Sequence, residues 1–555
     1  MKQLIILMLC LPFALSGQGI ITDWQRSVGG YANESPGIWG SHFICHGPDK
    51  SWILGVCSSS GVGGDKSQPP CNDQGNANDF WQIKFDSTGQ KVWDYKYGSL
   101  DFDEGNCIIA TNDGGYLLAG RSFGEDCDKT QSAYGMDYWM VKTDSMGLFQ
   151  WNKRFGGQGG DAGFGVLQSA DGGFYFWGLS QSGIGQQVTD TNHGGFYEAW
   201  LVRTDVNGNK LWDVMLGSMF EDVLNGAVTL ADNSIILVGS TNADGPDGTV
   251  SQPNKGPTFT EDVWIVKVNA MGQILWDRRY GGMGNDGAND ICLAPDSGFY
   301  VVGTVHRDSK LPDVADTTDK GLNAVWLLKL NSLGDKEWDK KYGGDSLSGA
   351  LEVLYSVTTN TLVICAISMS SDTLDKTEPH YGHYDFWIVC TDTMGNKLLD
   401  KTYGGYSQFV DEYNPSLLDM GNHHYIVAGA SATPISGNKT VAIHDSVGNA
   451  TPNYPDIWVI GFRYDSTATA MQQQQLMPLQ LYPNPALAYL QIGLPFDISK
   501  ATLLITDMLG RTVWQQYLPQ AYDVITVPTA TLMPGMYHLS LTTATHHTIK
   551  KFVKQ

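Results

Sequence analysis

Acidic residues at one repeated position are the residues of this chain best placed to do chemistry. Gly-Gly or Gly-Ser pairs recur along the sequence, and in five of seven copies an acid lies four residues after the second position of the pair: Glu34, Asp103, Asp161, Asp222 and Asp286. Equivalent copies should bring these carboxylates to equivalent points, where a hard cation would relieve the repulsion between like charges. We expect weak calcium binding there. The alternative is that each carboxylate accepts backbone N–H groups in its own turn.

Catalytic groups do not stand out. The sequence contains no Gly-x-Ser-x-Gly, its arginines are scattered, and its carboxylates are too numerous for any one pair to suggest an acid and a base. These observations favour a binding protein over an enzyme. A secreted hydrolase or lyase acting on polysaccharide or peptide is the alternative function.

The elements that carry these residues form a repeat of about 60 residues. One apolar strand contains a tryptophan in each copy: Trp81, Trp139, Trp200, Trp264, Trp326, Trp387 and Trp458. The following strand has its own tryptophan in six copies: Trp24, Trp93, Trp151, Trp212, Trp276 and Trp338. A hairpin around Asp-Gly-Gly, as in 106–122, precedes each pair, so every unit holds four strands. The sequence therefore predicts an all-β fold, a seven-bladed β-propeller of four-stranded blades with the tryptophans in its core.

The two ends of the repeat predict how such a ring would close. The last tryptophan strand, 456–465, has no partner strand after it, whereas 21–30 has the pattern of that missing partner. We therefore expect the N-terminal strand to complete the last blade.

Long loops between the second and third strands are the expected binding region. Examples are 58–78, 241–261 and 431–455, which are rich in Gly, Asp, Asn, Ser and Pro and are expected to be solvated. Loops on a rigid scaffold commonly carry binding sites, and the partner expected here is a glycan or a protein. The net charge of −23 excludes a general nucleic-acid binder, which needs a basic face.

The N-terminus indicates an exported chain, and the cysteines fall into two groups. Residues 1–17 have the pattern of a secretory signal peptide, and no other segment is long and apolar enough for a transmembrane helix. Of the cysteines beyond the signal, five lie in apolar strand patterns and should be buried: Cys45, Cys107, Cys292, Cys365 and Cys390. Cys57 lies at the base of a long loop. Cys71 and Cys127 lie in long loops of neighbouring units, where a bridge in an oxidising compartment is one possibility.

The C-terminal segment has a different rhythm. We expect the signal at 1–17, the propeller at 18–464, a polar linker at 465–477 and a separate domain at 478–555. Short alternating strands with Pro and Gly turns predict a small Ig-like β-sandwich for this last domain.

The same segment resembles the C-terminal (type A) sorting domain of type IX secretion cargo. The resemblance lies in Tyr482-Pro483-Asn484-Pro485, the stretch 505–511 with Gly510 and Arg511, Gly535 and Tyr537, and the terminal Lys550 and Lys551. It implies contact with the type IX machinery and passage across an outer membrane, followed by release or attachment at the cell surface. The body resembles the Trp/Gly-Gly repeat propellers often found in such cargo, a group that implies no particular chemistry.

Overall fold

The structure is a computed structural model that describes residues 19–37, 42–71, 77–132, 134–195, 197–308, 313–316, 319–406, 412–444, 454–465, 480–482, 486–493, 501–507, 511–518, 524–542 and 547–555. The predicted signal at 1–17 and residues 466–477 of the predicted linker lie outside these ranges. The described chain forms two compact units. One spans Thr22–Arg463, and the other contains the C-terminal segment from Tyr464 to Gln555.

Seven antiparallel sheets make up the first unit. The first contains β2 (Glu34–Ser35), β3 (Ile44–His46), β4 (Trp52–Ser58), β5 (Asp79–Phe85) and β6 (Lys91–Tyr97), and a 3-10 turn (Pro48–Lys50) precedes β4. The second contains β7 (Asp103–Ala110), β8 (Tyr116–Ser122), β9 (Asp137–Thr143) and β10 (Phe149–Phe155). The third contains β11 (Asp161–Gln168), β12 (Phe174–Ser180), β13 (Glu198–Thr204) and β14 (Lys210–Leu216).

The remaining four sheets repeat this order. The fourth contains β15 (Asp222–Thr229), β16 (Ile235–Thr241), β17 (Asp262–Val268) and β18 (Ile274–Tyr280). The fifth contains β19 (Gly287–Leu293), β20 (Phe299–His306), β21 (Asn323–Leu330) and β22 (Lys336–Tyr342). The sixth contains β23 (Ser348–Ser356), β24 (Thr361–Ser368), β25 (Asp385–Asp392) and β26 (Lys397–Tyr403). The seventh joins β27 (Glu412–Gly421), β28 (His424–Ser431) and β29 (Asp456–Asp465) to the N-terminal β1 (Gly19–Val28).

Two sheets depart from the plain repeat. In the seventh sheet β1 pairs with β29, so the N-terminal strand completes this sheet as expected from the ends of the repeat. We call the first strand of each sheet in chain order (β27 in the seventh) its inner strand. In the first sheet the inner strand is split, because β2 and β3 both pair with β4. Pro36 follows β2 directly and lacks the N–H that a continued ladder needs.

Consecutive sheets are joined in the same way throughout. The inner strands contact each other in succession from β3 through β7, β11, β15, β19 and β23 to β27, and β27 contacts β3. At six of the seven junctions, the amide at or directly before the start of the inner strand also donates to the carbonyl just before the third strand of the preceding sheet. These bonds are Asp103 to Asn78, Asp161 to Met136, Asp222 to Tyr197, Asp286 to Glu261, Glu412 to Tyr384, and Glu34 to Pro455. The last of them links the seventh sheet to the first.

The third strands form the core, as their apolar residues on both faces predict. The burial pattern of β9 is fully buried along its length. All seven third-strand tryptophans are buried: Trp81, Trp139, Trp200, Trp264, Trp326, Trp387 and Trp458. This part of the predicted core is confirmed.

The repeated Asp and Gly-Gly residues are explained by one contact. A side chain on the first glycine of the pair would overlap the carboxylate that opens the third strand. The glycine and aspartate partners are Gly29 and Asp456, Gly98 and Asp79, Gly156 and Asp137, Gly281 and Asp262, and Gly404 and Asp385. The absence of a Cβ lets the buried carboxylate approach the chain between neighbouring sheets.

Fourth-strand tryptophans are half-buried and pack against the next sheet. Each indole lies against a glycine in the turn between the third and fourth strands of the following sheet, where φ is between 73° and 83°. The pairs are Trp93 with Gly147, Trp151 with Gly208, Trp212 with Gly272, Trp276 with Gly334, Trp338 with Gly395, and Trp24 of the seventh sheet with Gly89 of the first. The sixth sheet has Leu399 at this position, and the seventh sheet has no such turn because its fourth strand comes from the N-terminus.

Two further sheets make up the C-terminal segment. One contains β30 (Gln480–Tyr482), β31 (Tyr489–Gly493) and β34 (Val524–Pro528). The other contains β33 (Thr512–Leu518), β32 (Ala501–Asp507), β35 (Gly535–Thr542) and β36 (His547–Lys554). Side chains of both sheets, such as Ile492, Val527, Ile505 and Leu539, share one buried core.

Candidate functional site

One edge of each repeat sheet carries the long loops. In the third sheet Asp161 at the start of β11 pairs with Ser180 at the end of β12, and Ser180 pairs with Glu198 at the start of β13. Ala199 in turn pairs with Leu216 at the end of β14. The long loop and the connections to neighbouring sheets therefore leave from the same ends of the strands. We call this end of the sheet the loop edge. The opposite hairpin edge carries the short turns.

Large apolar side chains are exposed at equivalent points of the loop edge. In five of the seven connections the residue directly after the Gly-Gly or Gly-Ser pair is apolar, and its exposure is 50 to 59%: Tyr31, Leu100, Met219, Met283 and Tyr406. A second set lies in the long loops at 60 to 66% exposure: Val62, Ile184, Leu374 and Ile435. Single exposed apolar residues are ordinary, but recurrence along one edge is typical of an interaction surface.

Aromatic pairs reinforce this surface. Phe102 lies 6.4 Å from Phe123, Phe220 lies 5.5 Å from Phe259, and Tyr381 lies 5.7 Å from Tyr406, measured between ring centroids. The first pair, with Asp101, Glu125 and Gly135, lines an open cavity of about 610 Å³. Aromatic rings beside carboxylates can contact both the apolar and the polar parts of a partner.

The sequence predicts a binding region at the loop edge, with loops that are solvated and polar. The exposed apolar residues are not evident from the composition of the loops, because each loop contains only one or two of them among many small polar residues. The signal that could have found them is positional. A large apolar residue directly follows the Gly-Gly or Gly-Ser pair in most copies of the repeat, where a solvated connection does not require one.

The five predicted calcium ligands all lie at the start of the inner strands or directly before one. Each is buried, and each accepts the amide N–H four residues earlier. The donor and acceptor pairs are Gly30 and Glu34, Ser99 and Asp103, Gly157 and Asp161, Ser218 and Asp222, and Gly282 and Asp286, with N–O distances of 2.6 to 3.0 Å. Each carboxylate thus stabilises its own connection, which is the alternative role expected from the sequence.

Burial affects the protonation of these acids. Removal from water raises the pKa of Glu34 to about 7 and that of Asp161 to about 6, and it also raises the pKa of Asp222. Asp103 instead pairs with the buried Lys129, whose Nζ lies 2.6 Å from its carboxylate. Burial lowers the pKa of Lys129 to about 8. The surroundings of the equivalent positions therefore differ.

Within the ranges that the structure describes, no three His, Cys, Asp or Glu side chains are grouped so that they could hold a metal ion. The five acids are placed singly, one in each connection. Calcium binding by Glu34, Asp103, Asp161, Asp222 and Asp286 stays a prediction.

An unforeseen polar cluster, formed by His42, Asp290 and Glu352, joins three sheets and contacts a fourth. The His42 ring lies 3.2 Å from an Asp290 oxygen and 3.3 Å from a Glu352 oxygen. Burial disfavours the imidazolium, but the two carboxylates outweigh it and raise the pKa of His42 to about 10. Glu352 also accepts the Ser416 hydroxyl and the Leu417 amide, both at 2.6 Å. The cluster links the inner strands, and no repeated sequence motif predicts it.

The predicted sorting motif is described only in part. Pro483, Asn484, Pro485 and Gly510 lie outside the described residues, and Tyr482 ends β30. The Tyr537 hydroxyl donates to the Met533 carbonyl at 2.8 Å, and its ring stacks on Phe552. Arg511 pairs with Asp507 at 2.7 Å, Gly535 begins β35, and Lys550 and Lys551 lie in β36.

Comparison with known proteins identifies this C-terminal segment. Residues 480–555 match the family described as the secretion system C-terminal sorting domain. The chain is therefore an exported protein. It is cargo of the type IX secretion system, delivered to the cell surface or the extracellular space, as the resemblance predicted. The helices among the described residues include none long and apolar enough to cross a membrane.

Other similarities are more distant. Regulatory protein FlaEY of Caulobacter vibrioides is 27% identical over 145 residues, which cover 23% of this chain and 14% of that protein. Among solved structures, a protein of unknown function from Dyadobacter fermentans has 9% identity and a TM-score of 0.39, covering 80% of this chain and 100% of that one. Hydrazine synthase of Kuenenia stuttgartiensis has 11% identity and a TM-score of 0.37, covering 72% of this chain and 93% of that one. TM-scores this low support no functional inference.

Proposed function

We propose that this chain is a secreted seven-bladed β-propeller that binds a surface glycan or a protein through its loop edge. The observation that carries the proposal is the recurrence of exposed apolar side chains at that edge. Tyr31, Leu100, Met219, Met283 and Tyr406 occupy one repeated position although the protein is strongly acidic and otherwise rich in polar loop residues. Solvent exposure of such side chains has no structural advantage, whereas contact with a partner would bury them.

The ring is supported by the contacts between the seventh sheet and the first. Glu34 donates its amide to Pro455, Trp24 lies against Gly89, and β27 contacts β3, which are the same contacts that join the other neighbours. Arg26 of β1 adds an ion pair with Asp65 at 2.6 Å. The His42 cluster spans the first, fifth and sixth sheets, as expected of inner strands that surround one axis.

Contacts of the acids favour binding over hydrolysis at this edge. A hydrolase needs a carboxylate free to transfer a proton to substrate. The buried acids at the loop edge, such as Glu34, Asp161 and Asp222, accept hydrogen bonds within their own connections. The polar atoms of the His42 cluster are likewise engaged with one another.

The test compares variants of the two edges. The triple variant Tyr31→Ser/Met219→Ser/Met283→Ser removes apolar surface from the loop edge. The matched control Met146→Ser/Met271→Ser/Leu333→Ser removes side chains that are 60 to 72% exposed in hairpin-edge turns. The purified proteins are titrated against an array of bacterial polysaccharides and against isolated surface proteins of the producing cell.

We expect saturable binding that the loop-edge variant weakens at least tenfold and the control leaves unchanged. Tenfold corresponds to about 1.4 kcal/mol, less than the burial of one large apolar side chain can contribute. Binding that depends on the hairpin edge instead, or no binding to either panel, would contradict the proposal.

A further inference from the structure

Two cysteines of the described chain differ from the others in position. Cys45, Cys57, Cys107, Cys292, Cys365 and Cys390 lie within strands, and all but the partly buried Cys292 are buried. Cys71 and Cys127 lie in the long loops of the first and second sheets. Cys71 is partly buried and Cys127 is exposed. Packing of a small apolar side chain accounts for the strand cysteines but not for this pair.

The two loop cysteines meet at the loop edge. Burial raises the pKa of the Cys71 thiol, and the nearby Cys127 side chain raises it further. Cys71 Sγ also lies 3.9 Å from an Asp128 carboxylate oxygen, in the residue next to Cys127. Both segments are anchored through backbone amides, because the Cys71 amide donates to the Asp79 carboxylate at 3.0 Å and the Asp128 amide donates to the Gly98 carbonyl at 3.2 Å. The two loop cysteines therefore lie close together on anchored segments.

The surroundings suit thiol–disulfide exchange. Lys96 Nζ lies 2.5 Å from Cys71 Sγ, and its positive charge stabilises a thiolate there. Burial nevertheless raises the pKa of Cys71 to about 12, so the exposed Cys127 is the thiol that an external oxidant reaches first. Cys71 lies nearby and can then attack the Cys127 sulfur atom.

We propose that Cys71 and Cys127 form a disulfide once the chain has left the cytoplasm, and that this bond ties together the long loops of the first two sheets. The oxidant is a protein disulfide of the cell envelope. The Cys127 thiolate attacks that disulfide, forms a mixed disulfide and releases one thiolate of the oxidant. Cys71 then loses its proton to solvent and attacks Cys127 Sγ, which releases the second thiolate. Two protein thiols are oxidised by two electrons, and the oxidant is reduced to a dithiol.

The consequence is local to the loop edge. The bond would join the loop after β4 to the loop after β8, which contains Phe123 and whose Asp126 accepts the Leu100 amide at 2.8 Å. A link between sheets also limits the freedom of the unfolded chain, so it stabilises the folded state. The inference rests on the export route and on the proximity of the two cysteines, and it does not depend on the proposed binding function.

The test uses the full chain recovered from the medium or the cell surface. The protein is denatured without reductant in excess alkylating agent, and its mass is measured before and after reduction. We expect six alkylated cysteines before reduction and eight after it, and peptide mapping should show one peptide pair linked through Cys71 and Cys127. Cys292→Ser is the control and should keep the linked pair, with one fewer alkylated cysteine.

A stability measurement gives an independent readout. Reductant should lower the Tm of the wild type and leave the Tm of Cys71→Ser/Cys127→Ser unchanged. Eight alkylated cysteines before reduction would overturn the proposal. A bond from Cys71 or Cys127 to another cysteine or to a second chain would overturn it as well.

Discussion

Replacing Glu34 with glutamine should change how the stability of the repeat unit depends on pH. Glu34 is fully buried, and this burial raises its pKa from 4.5 to about 7, against opposing hydrogen bonds from Ser60, Gly30 and Ser58. The folded state therefore holds this proton more tightly than the unfolded state. The stability that the group contributes is fully present below its unfolded pKa and is lost as pH rises through the folded pKa. A pKa rise of this size corresponds to about 3 kcal/mol.

The assay is denaturant unfolding followed by tryptophan fluorescence between pH 4.5 and pH 8. Only Trp514 of the 17 tryptophans lies beyond residue 464, so the signal reports the repeat unit. The free energy of unfolding of Glu34→Gln relative to wild type should rise by about 3 kcal/mol as pH increases through the window from about 4.5 to about 7.

Asp161→Asn supplies the matched comparison, because burial raises the pKa of Asp161 from 3.8 to about 6. Its window should have the same sign and lie lower on the pH scale. Differences that do not vary with pH, or that favour the wild type at high pH, would refute the assignment of buried, protonatable carboxyls to these connections.

Three other predictions follow from the same contacts. Gly98→Ala should lower the free energy of unfolding by about 1 to 3 kcal/mol, because the new methyl group overlaps Asp79, whereas Gly61→Ala, with open space around it, should change it little; equal effects in denaturant unfolding would contradict this. Deleting 476–555 should leave the repeat unit folded in the periplasm, and recovery of the truncated chain from the medium or the cell surface would contradict that. Calcium binding by the inner-strand acids should make the Tm of the wild type higher with calcium than with chelator, and Asp161→Asn/Asp222→Asn should reduce this difference. An identical wild-type Tm in both conditions would mean that these acids only stabilise their own connections.

The repeat was predictable because the same contacts occur in successive sheets and require the same residue types at equivalent positions. The third-strand tryptophans need a buried site in every sheet, and the Asp and Gly-Gly residues need each other because the carboxylate occupies the space of the missing Cβ. Even an exception is informative. Leu399 replaces a fourth-strand tryptophan where the following sheet lacks the turn glycine that the indole would contact.

Features that occur once, or that depend on side chains from distant strands, were not predictable. His42, Asp290 and Glu352 are far apart in sequence, and none stands in a recurring motif, so only the folded chain brings them together. The proximity of Cys71 and Cys127 was one possibility among several, because spacing alone does not give the direction of two loops. The exposed apolar residues were hidden by the polar composition around them.

Closure of the ring by the N-terminal strand is tested most directly by removing residues 18–30. Without β1, the apolar strand β29 has an unpaired edge, and the contacts of Trp24 and Arg26 with the first sheet are lost. The measurement is hydrogen exchange of the amides in 456–465, combined with light scattering after size exclusion, for the wild type, the truncated chain and a control that lacks 476–555. We predict that only removal of 18–30 abolishes protection in 456–465 and causes association. A monomer with β29 still protected after this deletion would contradict closure by the N-terminal strand.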